Sequence, residues 1–195
     1  MKAIALVHCL VFLFSLSAFA QLEMSFKGGL NFSKIKTTNI ENANNLEYES
    51  IVGAVFGPSA RFHLNEKLSF NSDFLFSTRG YSIYDFKTTI NYLELNILLS
   101  YRLIRNLDLE FGPDVGFKIF INSDQSNLSN GSFNFLDFGA ATGLRYSLAD
   151  KFILTARYYH GITSIAEFYK TASSESKTFN RAFQITIGYQ ILNRD

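Results

Sequence analysis

The stretch AFQITIGYQI, residues 182–191, alternates apolar and polar side chains without interruption. One face of an extended chain would carry the apolar set Phe183, Ile185, Ile187, Tyr189 and Ile191. The opposite face would carry the small and polar set Ala182, Gln184, Thr186, Gly188 and Gln190. Successive side chains of a β-strand point to opposite faces, so this alternation predicts a strand with two chemically distinct surfaces.

Seven other segments show the same alternation. They begin at Leu22, Val52, Leu68, Leu93, Leu107, Leu136 and Phe152. Tight turns are predicted around 65–66, 105–106 and 149–150, and longer polar loops at 34–48, 81–87, 122–132 and 165–178. Short turns on one side and longer loops on the other are typical of bacterial outer-membrane barrels. We therefore predict an all-β fold, an eight-stranded antiparallel up-and-down transmembrane β-barrel, with both mature termini in the periplasm.

The polar face of these segments favours a membrane barrel over a soluble one, since both kinds alternate. A face in water would be rich in flexible Lys and Glu, whereas this face is mostly Gly, Ser, Asn and Thr with isolated charges. The acidic ones are Glu23, Asp73, Glu94, Asp108, Glu110, Asp114 and Asp137, and the basic ones are Lys27, Arg61, Arg79, Arg102, Lys118, Arg145 and Arg157. Balanced charges rich in arginine suit a narrow lumen, where guanidinium groups pair with carboxylates. The alternative is a solvated sheet face.

The predicted lumen is narrow. Eight strands leave an interior just wide enough for side chains to fill it, so we expect ion pairs to plug the lumen rather than an open pore. Each buried pair would add little net stability, but removing one partner would leave an unpaired buried charge.

Aromatic residues and prolines add detail to the barrel. The aromatic side chains Phe62, Tyr101, Tyr146 and Tyr189 lie on the apolar face near the predicted periplasmic ends of the even-numbered strands, as in an aromatic girdle. Phe-Gly-Pro occurs at 56–58 and again at 111–113. Because proline lacks an N–H for the ladder, we predict a β-bulge or local bend at each and interpret both as curvature devices.

The first twenty residues have the composition of an export signal. Lys2 precedes an apolar run that ends in Ala18-Phe19-Ala20, a pattern that signal peptidase cleaves. We predict a signal peptide at 1–20, cleavage between Ala20 and Gln21, and a barrel domain at 21–195. A single transmembrane anchor is the alternative, but the run is at the lower length limit for a span.

Composition argues against several other classes of protein. Removing Lys2 from the eighteen basic residues leaves a number equal to the seventeen acidic ones, so no basic excess for nucleic-acid binding is expected. No long apolar segment follows Gln21, which argues against a helical membrane protein. The single cysteine, Cys9, lies within the predicted signal peptide. No Cys/His cluster resembles a metal site, and we expect no metal and no cofactor.

Several short motifs resemble those of PorT-family outer-membrane β-barrels of the Bacteroidota. They are Gly28-Gly29-Leu30-Asn31-Phe32-Ser33, the two Phe-Gly-Pro segments, Tyr92-Leu93-Glu94-Leu95 and Ile187-Gly188-Tyr189. The resemblance covers essentially the whole mature chain and implies an integral outer-membrane barrel without a cofactor. One founding member of the family is associated with type IX protein secretion, so an accessory role in secretion is an alternative to a structural one. The resemblance carries over no functional residue.

The remaining hypotheses concern the rims of the barrel. His160, with Ser164 and Glu167 nearby in sequence, could act as a general base, but a rim histidine is more often an interfacial polar residue, so we expect no enzyme. The loops at 34–48 and 165–178 could bind extracellular or secretion partners, or could simply be solvated. We otherwise expect outer-membrane lipid and the barrel-insertion machinery as partners, and a monomer.

Overall fold

The computed structural model describes residues 22–38, 48–124, 130–149, 151–166, 170–171 and 174–192. The predicted signal peptide at 1–20, the predicted cleavage between Ala20 and Gln21, and parts of the predicted loops at 34–48 and 165–178 lie outside the described residues. Within the described ranges, no helix has the length and apolar character needed to cross a membrane.

Eight long strands form a closed antiparallel barrel. They are β1 (Leu22–Thr38), β2 (Ile51–His63), β3 (Leu68–Ile83), β4 (Phe86–Ile104), β5 (Leu107–Ser123), β6 (Leu136–Leu148), β7 (Phe152–Gly161) and β10 (Lys177–Leu192). The connection from β7 to β10 carries a small hairpin of β8 (Lys170–Thr171) and β9 (Ser174–Glu175). Each barrel strand pairs with the next one along the chain, and β10 pairs with β1 to close the ring. The predicted eight-stranded up-and-down barrel is confirmed.

Burial in the barrel is the reverse of burial in a soluble protein. In β1, Asn31 is 0% exposed while its neighbour Leu30 is 50% exposed, and the other strands repeat this alternation. A continuous exposed apolar surface of this size is unfavourable in water and favourable in the hydrocarbon of a bilayer. The apolar face therefore points outward and the polar face lines the lumen.

The two ends of the barrel differ. One end, called the turn end here, carries the short connections at 64–67, 105–106 and 149–151. The opposite end, the loop end, carries the connections from β1 to β2, from β5 to β6 and from β7 to β10, together with the β3–β4 hairpin. Leu22 pairs with Phe62 and Leu192 pairs with Met24, so both ends of the described chain lie at the turn end.

The connection between β3 and β4 differs from the polar loop predicted at 81–87. The two strands continue to Ile83 and Phe86, and only Tyr84 and Asp85 connect them. Both connecting residues have a positive φ, 47° and 66°, as in the type I′ turn that matches the twist of a hairpin. The loop prediction was wrong because the segment lacks the Asn-Gly or Asp-Gly signal of such a turn and its polar residues suit a loop equally well.

The two prolines do not lie at β-bulges. The β-ladder is interrupted at 57–58 between β2 and β3, and at 112–113 between β4 and β5. The register is the same on both sides of each interruption, whereas a bulge would shift the register. The prediction of a β-bulge at 56–58 and 111–113 is therefore wrong, and the alternative of a local bend at each stays a prediction. Register shifts lie instead at 24–25 between β1 and β10, and at 91–92 and 102–104 between β4 and β5.

Candidate functional site

The middle of the lumen holds a charge-balanced group of four buried side chains. Lys27 Nζ lies 2.9 Å from Asp73 Oδ1, and Arg157 Nη1 lies 2.9 Å from Asp73 Oδ2. Arg157 Nη2 lies 2.8 Å from Glu110 Oε2. Two cations and two carboxylates thus compensate one another, and Ser59 Oγ donates a further hydrogen bond to Asp73 at 2.5 Å.

Nearer the loop end, one guanidinium meets three carboxylates. Arg79 Nη2 lies 2.7 Å from Glu94 and 3.2 Å from Asp114, and its Nη1 lies 2.9 Å from Asp137. All four side chains are buried. This group, called the Arg79 cluster, therefore holds three carboxyl groups for one guanidinium. Its stability depends on the guanidinium and on neutral hydrogen-bond donors around it.

Neutral groups complete the Arg79 cluster. The Tyr159 hydroxyl and the Asn180 amide each donate a hydrogen bond to Asp137, both at 2.7 Å. The Tyr159 ring also lies 3.7 Å from Arg79 Cζ, in the geometry of a cation–π contact. Asn180 and Tyr159 come from β10 and β7, so the cluster joins strands on both sides of the lumen.

A third group of charges surrounds an open cavity of about 360 Å³ at the turn end. Arg61 Nη1 lies 2.7 Å from Asp108. Arg145 lies 3.5 Å from Asp108 and 3.6 Å from Glu23. The partly exposed Arg102 lies 3.7 Å from Asp108. This group is where the lumen opens to solvent.

Several further lumen residues were not among the predicted site residues, although the strand alternation places them inward. His63 is buried, and its Nε2 lies 2.6 Å from Glu23 Oε1, so it belongs with the turn-end group. Tyr92, Tyr159 and Asn180 were not among the predicted site residues either, nor was Asn31, although the alternation predicts that Asn31 faces inward. Their alternate positions along the strands would have identified them, although an aromatic or neutral residue attracts less notice than a charge.

Lys118 lies at the loop end rather than among the central charges. Its Nζ donates a hydrogen bond to the backbone carbonyl of Phe133 in the β5–β6 connection. Phe133 belongs to a buried apolar cluster at this end, called the apolar cap. The cap contains Ile35, Tyr81, Ile90, Tyr92, Phe133, Ile165 and Ala166. It joins inward-facing strand residues with two loops and was not foreseen from the sequence.

The predicted girdle residues lie on the outer face at the turn end. Tyr101, Tyr146 and Tyr189 are exposed there and Phe62 is partly exposed. The Tyr189 ring packs edge-on against Phe152, with ring centroids 5.5 Å apart. The structure therefore brings these residues to one end and one face, which is the arrangement that the girdle hypothesis requires.

Among the described residues, no catalytic pair forms around His160. His160 is exposed on the outer face of β7. Ser164 Oγ donates to the Ala166 carbonyl and accepts from the Thr178 N–H, and within the described ranges no hydrogen bond joins it to His160. Glu167 lies outside the described residues. Within the same ranges, no group of three or more His, Cys, Asp or Glu side chains could hold a metal ion.

Comparison with known proteins agrees with a barrel whose apolar face points outward and whose polar face lines the lumen. Residues 19–167 match the family model described as "Outer membrane protein beta-barrel domain". The chain belongs to this family. It is therefore an integral outer-membrane β-barrel protein. No curated protein matches the sequence.

Among solved structures, the chain is similar to Neisserial surface protein A, with 12% identity, 85% of this chain and 96% of that chain covered, and a TM-score of 0.54. It also matches OprG from Pseudomonas aeruginosa, with 12% identity, coverage of 88% and 96%, and a TM-score of 0.49. Ail, the attachment invasion locus protein of Yersinia pestis, matches with 14% identity, coverage of 87% and 98%, and a TM-score of 0.46. At these identities, the likeness to Neisserial surface protein A supports the family's barrel fold and nothing further.

Proposed function

We propose that the protein is a non-conducting outer-membrane barrel with a structural role in the envelope and no enzymatic activity of its own. The observation that carries this proposal is a set of contacts between strands on opposite sides of the ring. Arg157 on β7 contacts Asp73 on β3, and Gln184 on β10 donates to Glu94 on β4 at 3.1 Å. Side chains that bond across the full width of the lumen obstruct the passage of a solute at these levels.

The loop end strengthens this conclusion. The apolar cap lies above the Arg79 cluster, so an ion that passed the charges would also have to cross a layer with little polar surface. Opening such a path would separate buried ion pairs, which leaves uncompensated charges in a region of low polarity. The barrel is thus suited to a role at its rims or outer surface.

Conductance measurements test the proposal. The purified protein, reconstituted in planar bilayers, should give no stable single-channel steps, while a general porin in the same lipid provides the positive control. The change of gel mobility on heating that folded outer-membrane barrels show would establish that the reconstituted protein is folded. Reproducible steps that scale with salt concentration would refute the proposal.

We further propose that the loop end faces the outside of the cell and that the turn end, with both mature termini, faces the periplasm. Short periplasmic turns and longer outer connections are the usual arrangement in this class of barrel. Because the chain has no cysteine after Cys9, single cysteines can report the orientation. In intact cells, an impermeant maleimide should label Asp85→Cys at the loop end and not Glu66→Cys at the turn end. The opposite labelling would reverse the orientation.

The β3–β4 hairpin favours surface binding as a second candidate function. Tyr84 at its tip is 70% exposed and Phe86 is 49% exposed, on a rigid two-residue turn. Exposed aromatic side chains on a rigid element are effective contacts in recognition. Cells producing Tyr84→Ser/Phe86→Ser should adhere to protein-coated surfaces less than cells producing an equal amount of wild type. Equal adhesion would count against this function.

An accessory role in type IX secretion, and the narrower identification as a PorT-family barrel, rest on the sequence motifs alone. A deletion strain that still releases its full set of secreted proteins would argue against that role. We propose that the barrel acts as a monomer, inserted by the general barrel-insertion machinery and surrounded by outer-membrane lipid.

A further inference from the structure

Basic side chains lie side by side on the outer surface near the loop end. Lys34 on β1 pairs directly with Arg181 on β10, which pairs directly with His160 on β7. Lys36, two positions further along β1, faces the same side. Directly paired residues on neighbouring strands have Cβ atoms roughly 5 Å apart, so these groups form one continuous row, called the basic row, in which Lys34, Lys36 and Arg181 carry the positive charge.

The basic row borders a shallow cavity of about 310 Å³, lined in part by Lys36, His160, Phe179 and Arg181. No aspartate or glutamate is among the described residues that line it. Positive charge with no carboxylate among the described lining residues, on the outside of a membrane barrel, provides a site for an anion.

Arg181 is held in place within this cavity. Its Nη1 donates to the backbone carbonyls of Gly161 at 2.8 Å and Asn180 at 2.7 Å. Its Cζ lies 5.8 Å from the centre of the Phe179 ring. Arginine has five N–H donors, and among the described residues none takes those on Nε and Nη2. The guanidinium is therefore positioned in advance, with donors that match the geometry of a phosphate.

The surface next to the basic row, on the side of the turn end, is apolar. Phe32, Phe183 and Tyr158 pair across the same three strands and all face outward. Leu30 and Ile185 follow in the next outward position. A molecule with an anionic headgroup and long acyl chains would match both parts of this surface at once.

We propose that this surface binds the phosphorylated headgroup of an outer-leaflet glycolipid of the lipid A type, with its acyl chains along the apolar band. The phosphate would contact Arg181 and Lys36, and the chains would lie against the aromatic row. The leaflet assignment rests on the proposed orientation, in which the loop end faces outward. The chemistry of the site, an anion on a basic row above an apolar face, does not depend on that orientation.

The test is the affinity of the purified, folded full-length protein in micelles for monophosphoryl lipid A, measured by native mass spectrometry. Removal of one basic residue near a membrane surface weakens the attraction about fivefold, so Lys36→Gln/Arg181→Gln should weaken binding by about tenfold or more. The matched control, Lys67→Gln/Lys151→Gln, removes two exposed charges at the turn end and should bind as the wild type does. The gel-mobility change on heating establishes that each variant is folded.

Two further ligands test whether the site recognises the lipid A headgroup rather than any phospholipid or free phosphate. Phosphatidylcholine should bind more weakly than monophosphoryl lipid A, and inorganic phosphate should not displace the lipid at comparable concentrations. Equal loss of affinity in both double variants, equal binding of phosphatidylcholine, or displacement by inorganic phosphate would each overturn the proposal. Because the assay does not depend on orientation, these failures are distinguishable from reversed cysteine labelling, which would refute the orientation and with it the outer-leaflet assignment.

Discussion

Arg79 is the residue on which the stability of the lumen near the loop end depends most. It is fully buried, and it lies between Glu94, Asp114 and Asp137. Arg79→Gln should lower the free energy of unfolding by about 3–5 kcal/mol, because removal of one partner leaves buried charge without compensation. Urea unfolding in micelles, followed by tyrosine fluorescence, would measure the change. A loss below about 1 kcal/mol, the usual value of an exposed pair, would contradict the described burial.

Asp114 should respond in the opposite way within the same cluster. It makes the longest of the three contacts with Arg79, 3.2 Å against 2.7 and 2.9 Å for the other two. Asp114→Asn replaces one of three neighbouring carboxyl groups with a neutral amide and keeps the shape of the side chain. We expect unfolding free energy equal to or above that of the wild type in the same urea titration. A loss as large as that of Arg79→Gln would show that all three carboxylates are needed.

At the scale of the element, the two glycine–proline pairs mark close approaches between strands. A Cβ on Gly112 would lie 2.2 Å from the Ile97 carbonyl oxygen, and one on Gly57 would lie 2.2 Å from the Phe74 oxygen. Gly112→Ala should therefore push β5 away from β4 and slow refolding into micelles. Gly28→Ala is the matched control, because its Cβ would meet only Phe56 Cβ at 3.9 Å. Similar refolding rates for the two variants would contradict the close approach.

The β6–β7 turn offers a stabilising change. Ala149 has a φ of 61°, in the left-handed region that disfavours residues with a Cβ. Ala149→Gly should raise the unfolding free energy by about 0.5–1 kcal/mol, since glycine adopts this conformation without strain. Ala140→Gly, inside β6, should lower it, because glycine weakens a strand interior. Thermal unfolding monitored by gel mobility would order the two variants, and destabilisation of the turn variant would contradict the strain.

At the scale of the whole molecule, ring closure brings the two ends of the described chain together. β1 pairs with β10 over almost their whole length, and Met24 lies opposite Leu192. A permuted chain that joins residue 192 to residue 22 by a short flexible linker, with new ends between Asn65 and Glu66, should keep every strand pair. We expect it to refold in micelles and to show the gel-mobility change on heating, because exposed turns tolerate chain ends. An unfolded permutant would show that the order of the strands along the chain is essential for folding.

Much of this architecture is encoded locally. Alternation of polar and apolar residues, with a period of two, assigned residues such as Leu30 and Ile185 outward and Asn31 and Gln184 inward. The same alternation, together with the preference for Gly, Ser and paired charges on one face, predicted that the polar residues are buried in the lumen and the apolar residues are exposed on the outside. These features depend only on the spacing of side chains along one strand, so a single sequence is sufficient to determine them.

Other features depend on which strand lies opposite which. The meeting of Arg79 with Asp137, the pairing of Arg157 across the lumen, and the joining of Phe133 and Ile165 in the apolar cap all involve residues far apart in the chain. Their partners are set by the register of each strand pair and by the stagger needed to close the ring. The β3–β4 hairpin and the unshifted register at Pro58 and Pro113 follow from the same pairing.

The sequence by itself therefore determined the barrel, its strand number and the inward face. Only the tertiary structure decided which charges meet, where the lumen is capped, and that Lys34, Arg181 and His160 align on the outer surface. The physical reason is that hydrophobic alternation is a property of one strand, whereas contacts across and between strands are properties of the closed ring.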